Sequence, residues 1–402
     1  MKLAKNILFV HCGNDDHKGN ENSLLGIIAN IDRARFTPFI LTNSSLLHEK
    51  MRQMGIHSEL EPFSILLGWS SPRFNIRQWL TQVKYAKAYI AKANIDLIHV
   101  NSGAPCQWMY TVAKVTNTPM ITQLHSDYSA RERITLGLHH SPRIIAVSKS
   151  ITHQLIKEGY PQARLSIVPN GIDVDRLEKQ GAVDIKAQLD IGDDAFTFVT
   201  VCSLVHRKGV DRLLLAMRHL VMEYPHVHLV VIGNGPQREQ LEQQTDYLYL
   251  SDNVHFVGVQ RYVQSWLKGG NAFVSGARKE AFSLAIAEAA LAGLPIIAPY
   301  EGGVPEILEH KKTAIFYKNT SGTCPILNAM RAVVKNPKSA QAIGLHAKEH
   351  ISNNHTAVQN IRAIEKIYTK AMADNTNDTV NLVAPSWVSL NPIKTFLADR
   401  FA

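Results

Sequence analysis

The sequence predicts an α/β protein of two doubly wound parallel sheets followed by a helical C-terminal region, on three observations. Short apolar runs alternate with longer helical patterns along most of the chain, the signature of βα units feeding a parallel sheet. At 402 residues the chain exceeds one ordinary core and suits two domains of about 170 to 200 residues. The alternation also pauses at a turn around residues 166–173 and restarts after a polar stretch near Gly181. These place one Rossmann-like domain at 1–172, a second at 173–373 and a tail at 374–402.

Taken in order, Asn6–Val10 is a buried strand, followed by a polar loop through Asp15 and Asp16 and a helical pattern from Ser23 to Ile31. Pro38–Thr42 is the next strand. A long helical pattern from Ile76 to Ala93 leads into Asp96–Val100, and apolar segments recur at Pro119–Thr122 and Arg143–Val147. In the second half, Phe196–Cys202 is a strand, Val210–Met222 a helix, and His228–Ile232 a strand ending in Gly233-Asn-Gly-Pro236. Strands follow at Val254–Val257, Ala272–Ser275, Pro295–Ala298 and Ala314–Phe316. Residues 323–373 read as helices, and Pro392–Phe401 as a short final helix.

Composition is that of an ordinary globular protein, 45% hydrophobic and 19% charged. No segment approaches the roughly 20 apolar residues of a membrane span, and the first residues read as a strand rather than a signal peptide, so a cytoplasmic location is expected. Cys12, Cys106, Cys202 and Cys324 show neither disulfide nor zinc spacing. The net charge of +9 is uneven: 19 Lys and Arg face 11 Asp and Glu in residues 1–172, against 24 and 23 beyond. A nucleic acid, an anionic membrane face, a phosphate-bearing acceptor and plain solubility all fit that excess.

The most informative stretch runs from Arg278 to Glu306. Ser283 suits the N-cap of an alanine-rich helix from Leu284 to Ala292, which Gly293 stops and Pro295 keeps from resuming. Glu280 then sits in the preceding loop, and Glu288 falls in the second turn, roughly 7 Å along the axis. Between them lies a helix N-terminus, whose free amides around Phe282 and Ser283 suit a phosphate. A second amide-rich turn follows at Gly302-Gly303, with Pro305 in the first turn of another helix. Two carboxylates flanking phosphate-binding amides match an activated sugar, although two glutamates eight residues apart also arise by chance.

Open α/β sheets bind ligands beyond the carboxyl ends of their strands. Arg207 and Lys208 fall there, after the strand ending at Cys202, and suit a diphosphate; a solvated basic turn is the competing reading. Gly233 lies in a turn that either approaches a ligand or is an ordinary tight connection. Asp173 and Asp175 have the spacing of a metal-bridging pair but sit in the interdomain turn. No metal is expected, since Arg207 and Lys208 supply the positive charge that a divalent ion supplies elsewhere.

The order Arg207-Lys208-Gly209, Gly233-Asn-Gly-Pro236, Val254-His-Phe-Val-Gly258, Glu280 with Glu288, Ala292-Gly-Leu-Pro295 and Gly302-Gly-Val-Pro-Glu306 resembles glycosyltransferase family four, retaining enzymes of GT-B architecture. Upstream, residues 96–100, 146–148 and 168–173 are similar to further family landmarks. The resemblance implies two domains facing a cleft, the second binding a nucleotide-sugar and the first the acceptor. It implies that Arg207 and Lys208 hold the diphosphate, Glu288 the ribose hydroxyls and Glu280 the donor sugar. It also implies that the amides near Phe282 and Ser283 complete the phosphate site, that Gly302 and Gly303 line the pocket, and that His125 reaches the donor sugar. Three positions depart from the pattern: Ala281 replaces a glycine or proline, Gly269-Gly-Asn271 stands where an Ala-Asp pair is common, and the first loop lacks a double glycine.

The expected function is therefore retaining transfer of a sugar from a UDP- or GDP-linked donor to a hydroxyl of a glycan or lipid-linked acceptor, in cell-surface polysaccharide or glycolipid synthesis. No cofactor is expected beyond that co-substrate. A helix edged by Arg73, Arg77, Trp79, Lys84, Lys87 and Lys92, with Phe74, Tyr85 and Tyr89, suggests peripheral contact with the inner face of a membrane. Two other classes stay open: a non-transferring subunit that binds a nucleotide-sugar or glycan, and a GT-B-fold epimerase. Nucleic-acid binding ranks last, because no dedicated motif appears.

Overall fold

In a computed structural model, residues 4–13, 19–68, 74–320 and 322–374 are described. Asp15, Asp16, Arg73 and the expected tail helix lie outside them. The chain divides into two units, Met1–Gly171 with Ala357–Ala402, and Ile172–Thr356.

The first unit is built on a seven-stranded sheet: β1 (Lys5–His11), β2 (Phe36–Thr42), β3 (His57–Leu60), β4 (Leu97–Val100), β5 (Met120–Leu124), β6 (Ile144–Ala146) and β7 (Leu165–Ile167). Every pair is parallel, in the order β3-β2-β1-β4-β5-β6-β7. The central strands are buried on both faces, which is why they read as continuous apolar runs rather than alternating ones. The edge strands β3 and β7 are short and partly exposed, and the sequence pattern does not reveal them.

The second unit carries a six-stranded sheet: β8 (Phe196–Val201), β9 (Val227–Ile232), β10 (Val254–Gly258), β11 (Ala272–Val274), β12 (Ile296–Pro299) and β13 (Ile315–Tyr317). It is also parallel, in the order β10-β9-β8-β11-β12-β13. Phe198, Leu213, Leu214, Met217, Val231 and Ile297 centre its core. In both sheets the order reverses beside one strand, at β1/β4 and at β8/β11. Loops leaving the carboxyl ends of those pairs diverge there and leave a crevice for a ligand.

One domain assignment is corrected. The sequence reading places residues 357–373 with the second domain, whereas the helix Ala357–Ala373 belongs to the first unit. Its stripe Ile361, Ile364, Tyr368 and Ala371 joins the cluster of Ile7, Phe9, Leu24 and Ile27. The Tyr368 hydroxyl meets His99 Nδ1 at 2.5 Å, and Glu365 accepts from the Asp32 amide at 2.8 Å. An amphipathic pattern specifies a face to bury but not the core that receives it, so the sequence left this helix with its chain neighbours.

The metal-like pair at Asp173 also resolves structurally. Asp173 caps the helix Val174–Glu178, accepting from the Arg176 amide at 3.1 Å. Asn271, one of the departures from the family pattern, accepts from the Thr197 amide at 2.8 Å and from its hydroxyl at 3.0 Å, and so ties β11 to β8.

Candidate functional site

The loops after β8 and β11 bring together the predicted phosphate-binding cations and the first glutamate. The Lys208 ammonium lies 2.5 Å from Glu280 Oε2, and an Arg207 guanidinium nitrogen lies 3.8 Å from Glu280 Oε1 while donating to the Lys279 carbonyl at 2.9 Å. The Glu280 side chain is 8% exposed and that of Arg207 49% exposed, so the carboxylate is sheltered and the guanidinium is open to a ligand.

Backbone contact fixes this proximity. Gly209 has φ +65°, and a Cβ there would meet the Gly276 carbonyl oxygen at 1.9 Å. Only glycine lets the two loops touch main chain to main chain. The Arg278 amide donates to the Arg207 carbonyl at 2.8 Å, and its guanidinium grips Asp211 through bonds of 2.8 and 2.6 Å and reaches the His206 carbonyl at 2.8 Å. A forked guanidinium–carboxylate pair is a strong, oriented contact, and this one holds the basic turn against the Glu280 loop. Behind it, buried Arg212 donates to the Gly276 carbonyl, to Asn319 and to the Thr320 carbonyl. The sequence reading missed these braces because their partners lie far apart in the chain.

The turn after β12 rests on the same loop. Gly302 has φ +57°, its missing Cβ would fall 1.8 Å from the Glu280 carbonyl oxygen, and the Gly303 amide donates to that oxygen at 3.1 Å. Pro305 occupies the first turn of the helix Val304–Ile307.

Ser283 caps the helix Leu284–Leu291 as expected, its hydroxyl accepting from the Ile286 amide at 3.4 Å. Its φ of +70° was not legible; a non-glycine residue in that region costs about 1–2 kcal/mol, and such strain clusters at functional sites. The Phe282 side chain is buried and meets His355 edge-on, with ring centroids 6.0 Å apart. Its ring therefore anchors the loop, and only its main chain is free to serve a ligand.

Glu288 stands one turn further along. Its carboxylate has no hydrogen-bond partner among the described residues, and burial pushes its pKa up to about 7, the charge of Arg176 opposing. A desolvated acceptor without a donor suits a pair of ligand hydroxyls.

Two further predicted residues lie at other strand ends. Gly233 gives its amide to the Gly258 carbonyl at 2.8 Å, and a Cβ there would fall 2.0 Å from the Cys202 carbonyl oxygen. The close approach to that carbonyl by itself requires a glycine here, and the Gly233 N–H is committed to Gly258. His125 belongs to the first unit, after β5. Burial lowers its pKa to about 3, with His99 and His11 adding to the effect.

The helix Ile76–Lys92 also differs from the expected aromatic edge. Tyr85 turns to Glu59, donating at 3.2 Å, and Tyr89 is buried; Phe74, Ile76 and Leu80 are the exposed apolar side chains. Among the described residues, no helix is long and apolar enough to cross a membrane and no group of three or more His, Cys, Asp or Glu is placed to hold a metal.

Comparison with known proteins divides as the fold does. Residues 18–176 match the family described as Glycosyltransferase Family 4, and residues 183–350 match Glycosyl transferases group 1. The N-acetyl-alpha-D-glucosaminyl L-malate synthase of Bacillus anthracis is 24% identical over 303 residues, 72% of this chain and 78% of that protein. The 2-deoxystreptamine N-acetyl-D-glucosaminyltransferase of Niallia circulans is 27% identical over 150 residues, 37% of this chain and 38% of that protein. Anabaena Alr3699/HepE, solved in complex with UDP-glucose, superposes with a TM-score of 0.77 at 21% identity, covering 91% of this chain and 99% of that one. This last likeness is one of fold.

Proposed function

We propose a specific activity for this chain, which belongs to the family-four glycosyltransferases of GT-B fold: it moves a sugar from a nucleotide diphosphate donor to an acceptor hydroxyl, with retention at the anomeric carbon. The observation that carries the reading is the gathering of Arg207, Lys208 and Glu280 at the β8/β11 crossover, beside the N-terminus of the helix Leu284–Leu291.

In this reading the leaving diphosphate gains negative charge as the glycosidic bond breaks. Arg207, Lys208 and the amides near Phe282 and Ser283 stabilise that charge as it develops. Glu280, released from Lys208 when phosphate takes its place, accepts hydrogen bonds from hydroxyls of the donor sugar. Glu288 accepts from the ribose hydroxyls, and the Gly302-Gly303 turn holds the Glu280 main chain in place. His125 contacts the sugar from the acceptor side of the chemistry. The cations supply the positive charge, so no metal is required.

A UDP-sugar is the first donor to test. The reading is supported by the UDP-glucose held by the Anabaena fold relative and by the N-acetylglucosaminyl activities named for the sequence relatives. A thermal-shift screen of UDP- and GDP-sugars is the first experiment, since a bound donor raises the melting temperature by mass action. Sugar transfer to hydroxyl acceptors, with the product's anomeric configuration read by NMR, follows. Arg207→Ala and Glu280→Gln that both leave transfer intact would overturn the mechanism.

The acceptor is proposed to be a glycan or glycolipid met at a membrane surface from the cytoplasmic side. Exposed Phe74, Ile76 and Leu80 beside Arg77, Lys84 and Lys87 support this. Sedimentation with anionic liposomes, weakened by salt and by Phe74→Ser, is the expected result.

A further inference from the structure

The first unit holds a polar cluster at its own crossover, between β1 and β4, that the donor-binding residues do not use. His11 ends β1, Asn101 follows β4 and His125 follows β5. Asn101 Nδ2 lies 3.1 Å from the Asn20 carbonyl oxygen and 3.0 Å from His11 Nδ1, and Asn101 Oδ1 lies 2.9 Å from His125 Nε2. The Asn101 main chain is fixed as well, its amide donating to the Val10 carbonyl at 2.9 Å.

These contacts determine where the protons are. A main-chain carbonyl only accepts, so the Asn101 atom facing Asn20 is the amide nitrogen, and the oxygen is the atom that faces His125. An amide oxygen also only accepts, so His125 carries its proton on Nε2 and has a bare lone pair on Nδ1. The second hydrogen of the Asn101 amide goes to His11 Nδ1, which is therefore the unprotonated nitrogen of that ring. Among the described residues, His125 Nδ1 is buried without a hydrogen-bond partner, whereas nearly all buried polar atoms in folded proteins are paired.

We propose that Asn101 is a positioning residue: it holds His125 as the neutral Nε2–H tautomer and keeps Nδ1 as an acceptor for a substrate hydroxyl. The identity of that hydroxyl rests on the transferase reading, but the tautomer does not. Burial, with His99 and His11 nearby, keeps the imidazole uncharged through the neutral range. A charged ring would need a second acceptor at Nδ1, and none lies there among the described residues.

Protein labelled with 15N-histidine tests this, because protonated and bare ring nitrogens give distinct signals and His125→Gln assigns the ring. The wild type is expected to show a bare Nδ1 at His125. Asn101→Asp keeps an acceptor toward Nε2 and should preserve that tautomer while moving the His11 proton to Nδ1, which then faces a carboxylate. Asn101→Leu removes the acceptor and should mix the two tautomers at His125, lowering kcat for sugar transfer about three- to tenfold, the size of one net neutral hydrogen bond. A protonated Nδ1 in the wild type would overturn the proposal, as would an unchanged tautomer in folded Asn101→Leu. Should that variant not fold, the wild-type and Asn101→Asp spectra decide. Unchanged transfer by an Asn101→Leu protein whose tautomers have mixed would also overturn the positioning role. Absence of transfer by the wild type from every nucleotide-sugar would instead remove the transferase reading, with the spectra still deciding the tautomer.

Discussion

Replacing Glu288 with glutamine should make the protein more stable and less able to bind its donor, with the stability gain building up from about pH 4.5 and complete above neutral pH. The partly buried carboxyl has a pKa of about 7 in the folded state and an ordinary value near 4.5 when unfolded. Below about pH 4.5 both states are protonated and the group is neutral to stability. Between the two values the folded state binds more protons than the unfolded one, so stability falls as pH rises, and above pH 7 the whole penalty is present. A shift of this size corresponds to about 3 kcal/mol, reduced to about 2 kcal/mol because the side chain is only partly buried. Glutamine keeps the shape and cannot ionise. For a unit of this size the gain is a rise of roughly 4–8 °C in melting temperature at pH 8.5, mostly lost by pH 5. Melting wild type and Glu288→Gln at both pH values isolates the term, because all other titrations cancel in the double difference. Ribose hydroxyls that donate to the carboxylate favour its charged form, so donor binding near pH 7 should release a fraction of a proton, seen by calorimetry in buffers of differing ionisation heat. A stability difference that stays constant from pH 5 to 8.5 would refute the desolvation argument.

Arg207→Ala and Lys208→Ala should each lower kcat/KM about ten- to a hundredfold, the range of a charge-assisted hydrogen bond lost in the transition state, as measured by nucleotide diphosphate release with acceptor present. Gly302→Ala should destabilise the protein by about 1–3 kcal/mol in urea melts and weaken donor binding in parallel, since the new Cβ overlaps the Glu280 carbonyl at a left-handed φ. Chelation with EDTA should leave transfer unchanged, and a loss restored by a divalent ion would show that Arg207 and Lys208 do not suffice for the leaving group.

Reading the chain alone went far wherever the cause was local. Buried parallel strands leave contiguous apolar runs, and the Ser283 cap with the Gly293 and Pro295 stop delimits one helix, so both were legible. Arg207, Lys208 and Glu280 could be placed on crossover loops because strand ends carry ligand sites in this architecture. What stayed hidden depends on distant partners. The Arg278–Asp211 fork joins residues 67 apart, and His11 meets Asn101 across 90 positions, with no periodicity linking either pair. The left-handed φ of Ser283 has no compositional signal, since a serine N-cap usually sits in extended backbone. Gly233 shows a related limit: a glycine required by a ligand and one required by a neighbouring carbonyl look the same in a string of letters. Asn271 looked like a defect in the family pattern and proves to be a cross-strand tie.

The return of the helix Ala357–Ala373 to the first unit bears on how the chain comes to be folded. The second unit is one uninterrupted stretch, Ile172–Thr356, and is complete once those residues have left the ribosome. The first unit begins earlier and finishes later: until Ile361, Ile364 and Tyr368 are made, Phe9 and Leu24 lack part of their cover and His99 lacks its tyrosine. During synthesis the earlier half therefore waits, with apolar surface open, while the later half closes. A nascent chain halted short of residue 357 should present a folded second unit beside a first unit that chaperones still recognise.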